Sequence, residues 1–326
     1  MSTYYLKSTG SPANSATDFS TEETAADSMW DIRNLSTFES TDTIKLCDDV
    51  TETTFDGGAV YDICNIEAQS GLDARPIYYY NTISSGPIYS GTSASIPIDI
   101  NGIHIKYNNS GSPAFNSTND NGAPISATNC IFDLENRTGL GNGYYYDCLI
   151  AHSFSGTASG PIIGGYTGMD VGLDHCTIID STSAGDTGPI VTIVDAPDNI
   201  TNNIFVFNDK NNTGIIACSG TGLDTNISNN LWFGTTLSGS DGYVYDYSDT
   251  PTILSGANAT SINADPLFTT EGLTYTLSFN SPAMYAGNDR KHMGWDTTTL
   301  GPKIKRKIVS SIETVTPFTP STRAEE

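Results

Sequence analysis

The chain has 326 residues, enough for one large core or two ordinary ones, so it is not a mini-protein held together by disulfides or a metal. Lys and Arg number 14 against 37 Asp and Glu, a net charge of −23, yet charged residues make up only 16% of the chain, so its surface is built mainly from Ser, Thr, Asn and Gly. A negative field of this size repels phosphate backbones and anionic bilayers, which argues against nucleic acid and membrane as partners of the body of the chain, and no stretch approaches 18 consecutive apolar residues.

Residues 1–40 read as a strand followed by a capping element. Met1 to Lys7 lacks the apolar core of a signal peptide, which predicts a chain made in the cytoplasm without an export signal. Ser20-Thr21-Glu22-Glu23 is a capping-box pattern, and Ala25, Met29, Ile32 and Leu35 suit a short amphipathic helix running to Leu35.

Residues 41–260 carry a repeat near 27 residues. A polar residue is followed by Cys or Asn and then two mostly apolar residues at Asn129-Cys130, Asp147-Cys148, His175-Cys176, Asn202-Asn203 and Asn229-Asn230, at intervals of 18, 28, 27 and 27. Asn101-Gly102, 28 residues upstream, extends the series. A second register begins with Gly160, Gly188, Gly214 and Gly242. Between these marks lie short β-branched and aromatic runs such as 190–194 and 204–207, bounded by Gly, Asn, Asp and Ser, which are strands separated by turns. Helical repeats would need three-and-four spacing of apolar residues, and a propeller blade is longer, roughly 40 residues. The period therefore predicts an all-β fold, a parallel β-helix of about eight coils stacked at ~4.8 Å, a rod of about 40 Å.

Stacking aligns equivalent residues in ladders. Asn101, Asn129, Asp147, His175, Asn202 and Asn229 share one slot, and Cys130, Cys148, Cys176, Asn203 and Asn230 the next. These read as turn ladders that satisfy backbone groups. Asp147 and His175 are also the candidate catalytic pair, because a carboxylate one coil from an imidazole raises its pKa and prepares a base.

Residues 261–302 read as a closing segment, with Asp265-Pro266-Leu267-Phe268, Tyr275-Thr276-Leu277, Ser281-Pro282-Ala283 and Ala286-Gly287. Together with Tyr4-Tyr5-Leu6-Lys7-Ser8-Thr9-Gly10 and Asp42-Thr43-Ile44-Lys45-Leu46 at the start, this resembles right-handed parallel β-helix proteins of the pectate-lyase-like superfamily, the phage tailspike and virion-protein type included. The resemblance spans most of 1–302. It implies fold more than function, since the superfamily holds lyases, glycoside hydrolases, adhesins and tailspikes. Residues 303–326 differ in character: Lys303, Lys305, Arg306 and Lys307 lie within five positions, followed by a polar stretch with Pro317 and Pro320, and this basic tail reads as a docking arm for an acidic neighbouring subunit.

The lyases and hydrolases of that superfamily set a chemical test. A lyase needs a Lys or Arg base near carboxylate-bound Ca²⁺, yet 138–209 contains no Lys or Arg, and toward the N-terminal half Arg75, Lys106 and Arg137 are the candidate bases, none in a recognised motif. The hydrolase motifs Asn-x-Asp, Gly-His-Gly and Arg-x-Lys are absent as a set. Generic carboxylate pairs, Asp133 with Glu135 or Asp170 with Asp174, are the remaining acid/base candidates. Six Cys show no C-x-x-C spacing, so no structural metal site is expected, and no cofactor. Tyr144, Tyr145 and Tyr146, like Tyr78, Tyr79 and Tyr80, are candidates for stacking on sugar rings.

These features favour a non-enzymatic structural or receptor-binding protein of a bacteriophage virion: a tail appendage, fibre or decoration protein. Its expected partners are other virion proteins, further copies of itself, as in the trimers that tailspikes form, and a host surface glycan. The alternatives are a polysaccharide-degrading tailspike-like hydrolase or lyase, and a surface adhesin.

Overall fold

A computed structural model describes residues 1–11, 19–39, 41–52, 65–81, 88–91, 98–108, 114–117, 125–135, 139–153, 161–164, 171–181, 189–193, 199–207, 216–218, 226–234, 244–246, 252–253, 261–269, 275–289 and 291–295. Among them the chain winds as a parallel β-helix. Sheet 1 stacks nine strands, Thr3–Ser11, Thr43–Leu46, Asn65–Ala68, Ile98–Asn101, Ile125–Thr128, Gly143–Tyr146, Val171–Asp174, Ile200–Thr201 and Ile227–Ser228. Sheet 2 stacks nine more, Val50–Glu52, Ile77–Asn81, His104–Asn108, Ile131–Leu134, Leu149–His152, Thr177–Asp180, Ile204–Phe207, Leu231–Gly234 and Ile262–Asn263. Sheet 3 has five strands, Ile163–Gly164, Val191–Ile193, Ile216–Cys218, Val244–Asp246 and Thr252–Ile253, the last pairing antiparallel. Tyr89–Gly91 and Phe115–Ser117 form a further parallel pair. The Gly-led register of the sequence leads into the strands of sheet 3, while its four glycines lie outside the described residues.

The ladders hold nine strands rather than the eight coils expected from 41–260. The count differs because Thr3–Ser11 joins the start of sheet 1 and Ile262–Asn263 joins the far end of sheet 2.

Each strand turns alternate residues inward. In sheet 1, Ile44, Ile66, Ile100, Ala127, Tyr145, Leu173, Ile200 and Ile227 stack through the core. In sheet 2, Ile105, Phe132, Ile150, Ile178, Phe205 and Trp232 do the same, and the Phe205 and Trp232 rings stack 4.7 Å apart. Each such apolar side chain contributes roughly 1.5–3 kcal/mol by leaving water, and the period-two pattern means a one-residue slip would expose a whole row.

The N-terminal edge is covered differently from the expected helix. A 3-10 turn at Glu22–Thr24 and a five-residue α-helical turn at Met29–Arg33 replace a continuous helix to Leu35. The capping box is shifted by one residue: Thr21 Oγ1 accepts from Thr24 N at 3.3 Å, and Thr24 Oγ1 accepts from Thr21 N at 3.2 Å. The break at Ala25, which is extended (ψ 144°), lets Ala26 bridge to Leu6 on the open edge of sheet 1. Pairing that edge satisfies backbone groups which a helix would leave bare. Gly10 permits the approach, since a Cβ there would lie 2.2 Å from the Ala26 backbone. Met29 and Ile32 are buried beneath this cover, and Ser28 and Tyr78 both donate to the Glu52 carboxylate, tying it to sheet 2.

Candidate functional site

The candidate catalytic slot is a turn between sheets 1 and 2, and its composition has a backbone cause. Asn129, Asp147, His175, Asn202 and Asn229 all sit at positive φ, between 51° and 60°, and Gly102 (φ 69°) continues the row. Asn, Asp and Gly tolerate the left-handed region best, and His is enriched there too. The series therefore runs through Gly102, not Asn101, which pairs with Thr128 inside sheet 1.

The next slot is a hydrogen-bond ladder. Asn203 accepts from Cys176 N at 2.8 Å and donates to Leu173 O at 3.0 Å, and Asn230 accepts from Asn203 N at 3.0 Å and donates to Ile200 O at 2.9 Å. The cysteines do the same work as weak donors: Cys130, Cys148 and Cys176 each point Sγ at a carbonyl of the preceding coil, those of Ile100, Ala127 and Tyr145, at 3.5, 3.5 and 3.1 Å. This is why Cys and Asn interchange in the repeat. Burial pushes the Cys130 and Cys148 thiols well above their usual range, so both are inert at neutral pH.

Asp147 and His175 do occupy successive coils, but the recorded carboxylate partners of His175 are others. Its Nδ1 lies 3.0 Å from Asp174 Oδ1 and its Nε2 3.4 Å from Asp289 Oδ1, the longer contact being an ion pair rather than a good hydrogen bond. Asp174 raises the imidazole pKa, burial opposes it, and Asp289 adds to the rise. Burial pushes the Asp174 carboxyl up, but hydrogen bonds from His175, Asn202 and Thr201 outweigh it and hold it below the usual range. Asp289 belongs to the closing segment, which folds back over the turn: Asn288 N donates to Asn202 Oδ1 (2.9 Å), Asn202 Nδ2 donates to Asn288 Oδ1 (3.0 Å), Gly294 N donates to Asn202 O (2.7 Å) and Trp295 N donates to Thr177 Oγ1 (3.0 Å). His175 is thus a clasp beneath a strap, its side chain only 15% exposed. Sequence spacing carried no hint of Asp289, which is 114 residues away along the chain.

A histidine–carboxylate pair between coils does exist elsewhere. His152 and Asp180, also 28 residues apart, project into the core from adjacent strands of sheet 2, with Nδ1 3.6 Å from Oδ1 and both residues 1% exposed. The same 28-residue spacing that singled out Asp147 and His175 was available for them.

Of the remaining candidate bases, Arg75 donates to Asn129 Oδ1 (2.9 Å) and lies 5.5 Å from the centre of the Trp295 ring. Lys106 stands between Asp133 (3.8 Å) and Glu135 (3.3 Å) and over the Tyr79 ring at 5.3 Å. Burial alone would lower the Lys106 pKa, but the two carboxylates outweigh it and leave the ammonium above its usual value, so it stays protonated. Burial also raises the Asp133 carboxyl, with Lys106 pulling the other way. Arg137, Asp170, Lys303, Lys305, Arg306 and Lys307 lie outside the described residues. Among the described residues no group of three or more His, Cys, Asp or Glu side chains is placed to hold a metal ion.

The tyrosine candidates divide by strand alternation. Tyr145 is wholly buried, donating to Gly141 O at 3.2 Å, and Tyr78 and Tyr80 are core residues as well, so none of the three offers a ring to a ligand. Tyr144 and Tyr146 point outward from sheet 1 with rings parallel to within 8° and centroids 6.5 Å apart, and Tyr146 is 41% exposed. The Tyr144 ring leans over Gly172 on the next strand, where a Cβ would come within 2.7 Å of Cδ1. In register around the pair stand Asp99, Asn101, Ser126 and Thr128 on one side and Asp174 on the other.

No protein-family model matches the chain, and no curated protein matches it either.

Proposed function

We propose that this β-helical rod is a non-enzymatic structural or receptor-binding protein of a bacteriophage virion, and that its outer sheet 1 face binds neutral carbohydrate. The observation that carries the binding reading is the parallel Tyr144–Tyr146 pair, set in a row of short polar side chains on an open sheet. Aromatic faces take up the apolar faces of sugar rings, while Asn, Ser, Thr and Asp accept and donate to hydroxyls. Asp99 and Asp174 beside the rings, in a chain of net charge −23, select against uronates and sialylated chains. The clasped His175, with a carboxylate at each ring nitrogen, favours a positioning role for that residue over catalysis. The virion setting rests on the likeness of the opening and closing segments to tailspike-type β-helices. Other virion proteins and further copies of the chain are its partners in this reading.

The test is binding of the full chain to a panel of host envelope glycans, read by calorimetry and by mass spectrometry of the glycans afterwards. A neutral glycan bound intact, with affinity falling at least about tenfold in Tyr144→Ala and Tyr146→Ala, supports the reading. Gly172→Val, which displaces the Tyr144 ring, should weaken binding likewise. A second reading, a polysaccharide hydrolase, is favoured by the raised Asp133 carboxyl beside Glu135. Cleaved products that vanish in Asp133→Asn would establish that reading and overturn the first.

A further inference from the structure

A groove of about 530 Å³ lies between the outer face of sheet 2 and the closing segment, with Val206 and Phe233 on one side and Leu267, Phe268 and Tyr275 on the other. Three of these walls are aromatic. The Phe268 and Tyr275 rings meet at 69° with centroids 5.1 Å apart, so they form the two sides of a corner, and Phe233 is 37% exposed. Among the described residues that line the groove there is no Lys, Arg or His, and the one carboxylate is that of the exposed Asp265. Asp265 Oδ1 accepts from Leu267 N at 2.8 Å, which holds the carboxylate at the groove.

Each wall restricts the chemistry of a ligand. A sugar would set hydroxyls against Ile179, Val206 and Leu267, which offer them no hydrogen-bond partner. An anion would meet Asp265 on a chain of net charge −23. A methylated ammonium group needs no hydrogen bond, presents methyls to the aliphatic wall, and carries a charge that ring faces and a carboxylate both attract. Each ring face is worth about two- to fivefold in affinity at an exposed site. The negative field of the whole chain also concentrates cations at its surface.

We infer that this groove is a binding site for a small, free quaternary ammonium compound of the choline type. Its methyl groups lie between Phe233 and the Phe268–Tyr275 corner, and its charge faces Asp265. The site does not depend on the glycan reading, which concerns the outer face of sheet 1.

Titration of the full chain with choline, followed through the methyl NMR signals of Ile179, Val206 and Leu267, tests the assignment. Choline should shift these signals saturably, with a Kd in the millimolar range suited to so small a ligand. The neutral isostere, in which carbon replaces the choline nitrogen, should bind at least about tenfold more weakly. Phe233→Leu keeps an apolar side chain on the sheet but removes the ring face, and should weaken choline binding about threefold. Asp265→Asn still accepts from Leu267 N, and should weaken choline binding about fivefold while leaving the isostere and the denaturation midpoint unchanged. Phosphocholine should bind more weakly than choline, because its phosphate meets Asp265. Equal affinity for choline and its isostere overturns the proposal, as does the absence of any shift up to about 100 mM choline. Tighter binding of maltose would assign the groove to a sugar, and tighter binding of phosphocholine to a headgroup; either result overturns the free-cation assignment.

Discussion

The two long sheets have the same coil geometry and opposite outer surfaces. Sheet 1 faces outward with Asp99, Asn101, Ser126, Thr128, Tyr144 and Tyr146, alternating with a buried row, as a half-buried sheet does. Sheet 2 from Leu149 onward is largely apolar on both faces, as in Ile204–Phe207, where Ile204 and Phe205 are both fully buried. Strands buried on both faces read as continuous apolar runs, and the closing segment is what buries the second face. In the N-terminal half of sheet 2, Lys106, Asp133 and Glu135 take outer positions, and among the described residues the closing segment does not cover them. The same solenoid thus makes a surface or a second core, depending on whether a later stretch of chain returns to it.

Substitutions should separate the two faces sharply. Trp295→Ala removes the side chain that seals Ile131, Leu149 and Ile179 and should cost about 3–5 kcal/mol in chemical denaturation. A loss below about 1 kcal/mol would mean the strap is a passive cover. Asn203→Ala, inside the turn ladder between the faces, leaves Cys176 N and Leu173 O without their partner and should cost about 2–3 kcal/mol by the same measurement. Asn203→Cys should restore part of that loss, because thiols fill the slot in three other coils.

A smaller effect is expected at the clasp, and it depends on pH. The folded-state pKa of His175 is raised, so its contribution is fully present below its unfolded value of about 6.5 and is lost as pH rises through the folded value. Asp174 and Asp289 are held below the usual carboxylate range, so their contribution is present above about pH 4 and is lost as pH falls through their folded values. Protection of amides 283–295, corrected for the intrinsic exchange rate at each pH, should therefore be greatest between about pH 4 and 6.5. His175→Asn, which keeps a residue suited to positive φ, should flatten the alkaline limb; an unchanged profile would remove His175 from the clasp. At the far end of the scale, Tyr146→Ala on the open face should change stability by less than about 0.5 kcal/mol while weakening glycan binding.

The repeat was legible because a left-handed turn accepts few residue types. From Asn129 to Asn229 such turns printed Asn, Asp or His at spacings of 18, 28, 27 and 27 residues, and the carbonyl-directed slot after each printed Cys or Asn. That much followed from local backbone chemistry, and so did the parallel stacking, whereas Tyr144, Tyr145 and Tyr146 were offered alike as binding residues and burial of Tyr145 in the core separates it from the other two. The register of Asn101 was misplaced by one because Gly102 fills the left-handed turn without a side chain to mark it. The capping helix was not legible: the open edge of sheet 1 draws Ala26 into a bridge, a demand made by a neighbour in space.

Chemistry at the candidate site was decided by tertiary structure alone. Ladder logic brings Asp147 and His175 to successive coils from period alone, but the groups that hold the imidazole depend on where residues 283–295 lie, and no local rule sets that path. Short-range steric and hydrogen-bond preferences repeat with the coil and can be read along the chain, so the sequence by itself determined a stacked rod and its turn ladder. Which outer face became a core, and which histidine became a clasp, only the returning closing segment decided, because burial of an outer face is a property of what lands on it.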